Sequence, residues 1–187
     1  MTDHTRREVL IAPERGSRPG PLIFLAGPTW TVEWQLQAIE YLGQLAPDIH
    51  VASPRRPINP ERDFDAAMYA EQVDWETEHL QRAARDGVVL FWLAREREHH
   101  CHRAYAQTTR FELAEWKERH RTSGAPLVLG IEHGFTGARY IRRRFAQDCP
   151  AVAIQADLQA TCREAVALIR ARTDIPSTDP GLADAAR

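Results

Sequence analysis

The sequence has almost no lysine and no excess of positive charge. Lys117 is the only lysine among 24 basic residues, and 26 acidic residues bring the formal charge to -2. A protein that binds the phosphate backbone of a nucleic acid normally carries a strong basic excess. We therefore expect no nucleic acid polymer as a partner, whereas a single nucleotide is not excluded as a ligand.

Cysteines and long apolar runs are also scarce. The three cysteines, Cys101, Cys149 and Cys162, are widely spaced and odd in number, so they give no disulfide framework. No apolar run approaches the roughly 20 residues of a membrane-spanning helix. The polar N-terminus lacks the apolar stretch of a signal peptide. We expect a soluble, cytoplasmic protein with no membrane partner.

The composition is that of one globular domain with polar ends. Of the 187 residues, 43% are hydrophobic and 27% are charged, which is ordinary for a folded protein. Residues 1–20 and 173–187 are rich in proline with glycine or aspartate and have no periodicity. They predict a flexible N-terminal lead-in and a flexible C-terminal tail around one domain at residues 21–172.

Apolar runs and amphipathic segments alternate along the domain. The runs predict five buried strands, at Leu22–Ala26, Ile49–Ala52, Val88–Leu93, Leu127–Ile131 and Ala151–Ile154. Apolar residues at helical spacing predict helices at Trp34–Leu45, Ala66–Ala84, Thr109–His120, Arg139–Gln147 and Leu158–Arg172. The alternation predicts an α/β fold, a Rossmann-like doubly wound parallel sheet with helices on both faces. Ligands of such sheets bind beyond the carboxyl ends of the strands, here the loops after Gly27, Leu93 and Ile131.

The loop after the first predicted strand reads Ala26-Gly27-Pro28. A glycine at this point lets a ligand approach the backbone closely. The alternative is a plain turn, which spacing alone favours because there is no G-x-G-x-x-G motif and no P-loop lysine. Trp30, just beyond, is the tryptophan best placed to stack against a base.

Thr109 and Glu112 have the spacing of a capping box at the start of a helix. In that motif the glutamate reaches back to the amide of the capping residue, and spacing alone favours this role. The helix also starts at the carboxyl edge of the predicted sheet, where a carboxylate could face a ligand. A glutamate in that position can attack an electrophilic carbon.

Glu76 lies in a charge-rich helical segment, Gln72–Leu80. Such a charge run is by default a solvated helix face. Glu76 gains a chemical role only if it points at the same cavity as Glu112. Two carboxylates across a sugar ring suit glycosidic chemistry, with one as nucleophile and the other as proton donor or sugar anchor.

Two further clusters of polar residues are explained without a ligand-binding role. His99-His100-Cys101-His102 contains zinc-type ligands, but adjacent residues rarely share one ion and no second pair has zinc spacing. We expect a charged loop, no metal and no cofactor. Arg142-Arg143-Arg144 favours a solvated helix face, with a phosphate contact by one arginine as the alternative.

Five segments, in this order and spacing, resemble the nucleoside 2-deoxyribosyltransferase-like family. They are Ile23-Phe24-Leu25-Ala26-Gly27-Pro28, Pro54-Arg55-Arg56, Gln72-Val73-Asp74-Trp75-Glu76, Leu90-Phe91-Trp92 and Thr109-Arg110-Phe111-Glu112-Leu113. The resemblance runs from about Pro21 to Ile131. It implies a flavodoxin-like fold and attack of a carboxylate on the anomeric carbon of a nucleoside or nucleotide.

The resemblance also implies residue roles. Glu112 stands where the family has its nucleophile, and Glu76 matches the acid that serves the sugar and the departing base. Burial of Glu76, together with a neighbouring carboxylate, would raise its pKa as proton transfer requires. Ala26, Gly27 and Pro28 match the backbone that borders the sugar. Family members commonly assemble, so the resemblance implies a homodimer or a higher homo-oligomer.

The expected function is cleavage or transfer of the N-glycosidic bond of a small-molecule nucleoside or nucleotide, with Thr109 and Trp30 also contacting substrate. Whether water or a second base accepts the sugar is left open. The departures from the family pattern include Glu76 for the usual aspartate, Ala114 for a glycine, and Ala106 for a polar group. The two alanines favour the alternative of an inactive nucleotide-binding or sensor module.

Overall fold

A computed structural model of the chain describes residues 7–16, 18–29, 33–57, 65–102 and 104–173. The strands in these ranges are β1 (Val9–Ile11), β2 (Leu22–Ala26), β3 (His50–Ser53), β4 (Val88–Leu93), β5 (Leu127–Ile131) and β6 (Ile154–Gln155). The helices are α1 (Trp34–Leu45), α2 (Ala66–Asp86), α3 (Gln107–Ser123), α4 (Ala138–Asp148) and α5 (Leu158–Thr173).

The strands form one parallel sheet in the order β1-β3-β2-β4-β5-β6. Every residue of β2, β3, β4 and β5 is buried, as expected for strands covered on both faces. Without β1, the order is that of a flavodoxin-like sheet. The α/β flavodoxin-like fold predicted from the sequence is therefore confirmed.

Helices cover both faces of the sheet. On one face, α2, α3 and α4 pack through buried residues that include Trp75, Trp116 and Phe145. On the other face, α1 and α5 pack through residues such as Trp34 and Ile169. Alternate residues of the central strands point into the two cores, which fixes the register of the sheet.

In the described ranges the sheet has six strands, so the prediction of five is wrong. The additional strand, β1, lies inside the predicted lead-in and pairs with β3, with Val9 opposite Val51. The buried ring of His50 accepts a hydrogen bond from the Glu8 amide at 2.9 Å and also contacts the Pro19 carbonyl at 3.1 Å. The sequence did not indicate β1 because three residues are too few for a periodic pattern.

Several element bounds differ from the prediction by one to three residues. β6 lies at Ile154–Gln155 instead of Ala151–Ile154, because the Val152 amide bonds the Cys149 carbonyl at 3.0 Å in a turn. α2 begins at Ala66 as predicted, where the Asp65 side chain caps it by accepting the Met68 amide at 2.8 Å, but it extends to Asp86 instead of Ala84. Residues 174–187 of the predicted tail lie outside the described residues, and the domain boundaries stay predictions. Within the described ranges, no helix is both long and apolar enough to span a bilayer.

Candidate active site

A cavity of about 410 Å³ opens beyond the carboxyl ends of β2, β3 and β4. From β2 the chain passes to β3 on one side of β2, and then to β4 on its other side. Ligands of such sheets bind at this switch point, where the strand order reverses. The described residues that line the cavity come from β2, from the loops after β2, β3 and β4, from α2, and from the start of α3: Phe24, Ala26, Gly27, Pro28, Thr29, Pro54, Arg55, Arg56, Tyr69, Gln72, Val73, Glu76, Ala104, Tyr105, Ala106, Gln107, Thr108, Thr109 and Glu112.

The structure brings most of the predicted site residues to this one cavity. Glu76 on α2 and Glu112 on α3 both line it, although 36 positions separate them in the chain. Ala26, Gly27, Pro28 and Thr109 line it as well. Trp30 lies outside the described residues, so its role in stacking stays a prediction.

The loop after Ile131 does not contribute, contrary to the expectation from strand ends. No described residue beyond Glu112 lines the cavity. β5 lies one strand further from the switch point. Glu132, in the loop after β5, is hydrogen-bonded to the loop after β4. Its carboxylate accepts the Arg95 amide at 2.8 Å and the Arg97 guanidinium at 2.6 Å.

Gly27 forms the floor of the cavity in a conformation that only glycine adopts readily. Its φ is +154°, and a Cβ added there would lie 2.7 Å from Cζ2 of Trp34 and still closer to the carbonyl oxygen of Trp92. The next carbonyl, that of Pro28, accepts hydrogen bonds from the Trp34 indole at 2.8 Å and the Gln35 amide at 3.1 Å. The loop is therefore held by packing and by hydrogen bonds.

We expect Gly27→Ala to destabilise the protein by about 2–4 kcal/mol, because it adds a backbone clash to an unfavourable φ. The control is Gly124→Ala, since Gly124 has a φ of +70° but no heavy atom within 4 Å of the added Cβ. This control should cost only about 1 kcal/mol. Urea unfolding of both variants measures the difference. Equal losses would contradict the close approach of Trp92 and Trp34.

The capping box expected of Thr109 and Glu112 is wrong. α3 begins at Gln107, and its cap is Ala106, a left-handed residue with φ 54° and no side-chain cap. The first helical hydrogen bond runs from the Arg110 amide to the Ala106 carbonyl at 3.0 Å. Because the helix starts two residues earlier than predicted, Thr109 lies inside it. Glu112 occupies the second turn with its side chain free to face the cavity.

The environment of Glu112 opposes ionisation. The side chain is half-buried and makes no hydrogen bond to any described residue. Burial, followed by the negative charges of Glu76 and Glu115, raises the pKa of the Glu112 carboxyl to about 8. Glu112 therefore carries a proton at neutral pH when no ligand is present.

Glu76 is held by a hydrogen-bonded chain. The Gln72 amide donates to Oε1 of Glu76 at 2.7 Å and to the Pro54 carbonyl at 2.8 Å. Arg56 Nε donates to Oε1 of Gln72 at 2.6 Å, which fixes the orientation of the amide. The second carboxyl oxygen of Glu76 is left available to a ligand.

Burial raises the pKa of Glu76, while the Gln72 hydrogen bond and the Arg56 charge oppose the rise. The predicted direction is therefore confirmed. The neighbouring carboxylate was expected to add to this shift. Instead, its charge acts on Glu112, where no hydrogen bond or cation offsets it. The two carboxyls consequently differ, and Glu112 has the more strongly raised pKa.

Sequence reasoning missed the polar residues around Glu76. Gln72 and Glu76 are four apart on one helix, a spacing that indicates a side-chain pair. Arg56 lies three residues after the end of β3, at the edge where ligands bind, and its side chain is only 7% exposed. These signals were present, but nothing in the sequence alone distinguishes such a pair from a solvated helix face.

The residues of the histidine and arginine clusters do not line the cavity. Among the described residues, no group of three or more His, Cys, Asp or Glu side chains is placed to hold a metal ion. His99 pairs with Glu96 at 3.2 Å in an exposed loop. On α4, Arg144 pairs with Asp148 at 2.9 Å and Arg143 is exposed.

A family model described as nucleoside 2-deoxyribosyltransferase like matches residues 20–129, more than half of the chain. The chain belongs to this family. The family's name indicates glycosyl transfer from nucleosides, and the resemblance stated from the sequence is confirmed. No curated protein matches the chain significantly. Every described residue that lines the cavity falls inside the part that the nucleoside 2-deoxyribosyltransferase-like model covers.

Proposed function

We propose that the protein cleaves or transfers the N-glycosidic bond of a nucleoside or nucleotide, with Glu112 as the nucleophile and Glu76 as the proton donor. One observation carries the proposal: two carboxyls from different helices line one cavity in different electrostatic surroundings. Glu112 has no hydrogen-bond partner among the described residues, as a group that must attack a carbon requires. Glu76 is fixed by Gln72, as a group that must aim a proton requires.

The first step forms a covalent glycosyl ester. A carboxylate oxygen of Glu112 attacks C1′ and forms a new bond as the C1′–nitrogen bond breaks. The electron pair of the broken bond stays on the base nitrogen, and the base takes a proton from the Glu76 carboxyl. Before attack, the proton of Glu112 must pass to Glu76. Positive character at C1′ favours this transfer, which leaves the net charge of the pair unchanged.

The second step releases the sugar. Glu76, now a carboxylate, takes a proton from an incoming water or base, whose oxygen or nitrogen attacks C1′. The ester bond to Glu112 breaks, and its electron pair returns to the carboxylate. Water as acceptor makes the protein a hydrolase, and a second base makes it a transferase. Ala26, Gly27, Pro28 and Thr109 are proposed to contact the substrate.

The rival function is an inactive nucleotide-binding module. The two alanines that favour it differ in position. Ala114 is exposed on α3 and does not line the cavity, so its replacement of a glycine leaves the cavity unchanged. Ala106 does line the cavity and caps α3 with its backbone alone. Only Ala106 therefore supports the rival. The homodimer or higher homo-oligomer implied by the resemblance stays a prediction.

The deciding experiment measures free base by chromatography. The protein is incubated with ribo- and deoxyribonucleosides and their 5′-monophosphates, with and without an acceptor base. Release of base supports the enzyme, and dependence on the acceptor distinguishes transferase from hydrolase. Tight binding of any member without release of base would support the inactive module instead.

The rate should have a bell-shaped dependence on pH. The active pair holds one proton, so kcat/KM falls in acid, where Glu76 and Glu112 are both protonated, as pH drops through the raised pKa of Glu76. It also falls in base, as pH rises through about 8 and the pair loses its proton. Initial rates of base release between pH 4 and 10 measure both limbs. A rate that stays constant above pH 8 would contradict the proton-donor role.

A further inference from the structure

Two adjacent arginines at the cavity have different surroundings. Arg56 donates to Gln72 at 2.6 Å and pairs with Glu71 at 2.7 Å. Arg55 also lines the cavity, yet its guanidinium makes no hydrogen bond or ion pair within the part of the chain that the structure describes. Arg56 therefore has a structural role, and Arg55 is left for a ligand.

The lack of a hydrogen-bond or ion-pair partner for Arg55 among the described residues is unusual because this side chain is half-buried. In the described ranges, the other arginine side chains without a hydrogen bond or ion pair are all exposed; they are Arg85, Arg139, Arg143 and Arg163. Arg55 is the one that is half-buried. A guanidinium removed in part from water without a partner is unfavourable, and an anion in the cavity would compensate for it.

The charges of the lining suggest the sign of the ligand. At neutral pH the Glu112 carboxyl is protonated, because its pKa is raised to about 8. Glu76 and Arg56 carry opposite charges on the two sides of Gln72. Glu71 also faces Arg56, while Arg55 has no counter-charge in the cavity. The lining therefore favours an anionic ligand.

The topology places the free guanidinium away from the reacting centre. Arg55 follows β3, whereas Glu112 lies on the helix after β4, and β2 lies between these strands. Neighbouring strands are about 4.8 Å apart, so the ends of β3 and β4, which these two segments follow, are about 10 Å apart. A substrate with its anomeric carbon at Glu112 would thus direct its far end toward Arg55. A nucleotide extends two groups from its sugar, the base and the 5′-phosphate, and the phosphate is the one whose charge a guanidinium pairs with.

We propose that Arg55 binds the 5′-phosphate of the substrate, so that the protein acts on nucleoside 5′-monophosphates in preference to nucleosides. This inference rests on the proposed function and narrows its substrate class. The planar guanidinium can donate two parallel hydrogen bonds to phosphate oxygens. The first residues of α3, which lacks a side-chain cap, line the same cavity, and the positive end of the helix dipole there would add to the positive potential.

The test compares each nucleoside with its own 5′-monophosphate. In the wild type we expect kcat/KM for the monophosphate to be higher by about 10- to 100-fold, which one charge-assisted pair can supply. Arg55→Gln should abolish that preference, because kcat/KM for the monophosphate falls by about 10- to 100-fold, to the level of the nucleoside. Arg55→Lys should retain part of the preference, because the positive charge remains while the guanidinium, which donates two parallel hydrogen bonds, is lost.

Arg143→Gln is the matched control, since Arg143 is exposed on α4 outside the cavity. This variant should keep the preference of the wild type, and circular dichroism confirms that each variant is folded. A wild type that uses nucleosides as well as monophosphates would overturn the inference. An equal loss on both substrates in Arg55→Gln would also overturn it.

A binding measurement separates this inference from the proposed function. Calorimetric titration with the same nucleosides, monophosphates and inorganic phosphate does not require turnover. If no base is released but monophosphates bind more tightly than nucleosides, and only while Arg55 is present, the phosphate site stands and the enzyme proposal fails. If binding does not depend on Arg55, the phosphate site fails whether or not base is released.

Discussion

Glu112→Gln should abolish base release, lowering kcat/KM by roughly 10⁴-fold or more, as is typical when a nucleophile is removed. Glutamine keeps the size of the side chain but cannot form the glycosyl ester. Glu112 makes no hydrogen bond to a described residue, so the exchange breaks no contact that holds the fold. The cavity should still bind substrate, and a stoichiometric glycosyl adduct seen by mass spectrometry in the wild type should be missing in the variant.

The control for this prediction is Glu115→Gln, on the same helix. Glu115 is exposed and pairs with Arg119 at 2.6 Å, away from the cavity. Its charge helps to raise the pKa of Glu112, so its removal should move the alkaline limb to slightly lower pH and leave the maximal rate within about threefold. Retained turnover in Glu112→Gln would remove Glu112 from the role of nucleophile.

The same variant, Glu112→Gln, should be more stable than the wild type at alkaline pH. In the folded protein the pKa of Glu112 is raised to about 8 from the ordinary value of 4.5. Between these values the folded state binds more protons than the unfolded state, so the stability of the wild type falls as pH rises. Glutamine does not ionise and avoids this loss. We expect a gain of about 1–3 kcal/mol at pH 9, after allowance for partial exposure of the side chain.

Thermal unfolding of both proteins at pH 5 and pH 9 measures the effect. The difference in Tm should be small at pH 5 and reach roughly 3–10 °C at pH 9. Glu115→Gln again serves as the control, because its carboxylate is solvated and paired. A difference that does not change with pH would mean that Glu112 ionises freely in the folded protein. The assignment of a raised pKa would then be wrong.

The fold could be predicted because its strands are continuous apolar runs. The bounds of Val88–Leu93 and Leu127–Ile131 in the structure are those predicted, since both strands are buried along their whole length. Edge strands give weaker signals. β1 and β6 have three and two residues, and both depend on pairing with a neighbour that the local sequence does not reveal.

The candidate site was harder to predict because the local sequence pattern is compatible with more than one role for the same residues. The spacing of Thr109 and Glu112 satisfies a capping box, and only the left-handed backbone of Ala106 excludes it. The resemblance singled out Glu76, but its partner Gln72 and the contrast between Arg55 and Arg56 depend on contacts between elements. Burial and hydrogen bonding over such distances are properties of the folded chain, so periodicity cannot predict them.

The last third of the domain adds nothing to the cavity lining. Everything in the described structure after Glu112 is arranged to complete the sheet and cover it, through residues such as Phe145 and Ile169. Substitutions in α4, β6 and α5 are therefore expected to act on packing and on ion pairs such as Arg170–Asp48, and not on the cavity lining. An inserted segment or a fused domain would be tolerated best beyond Ile131.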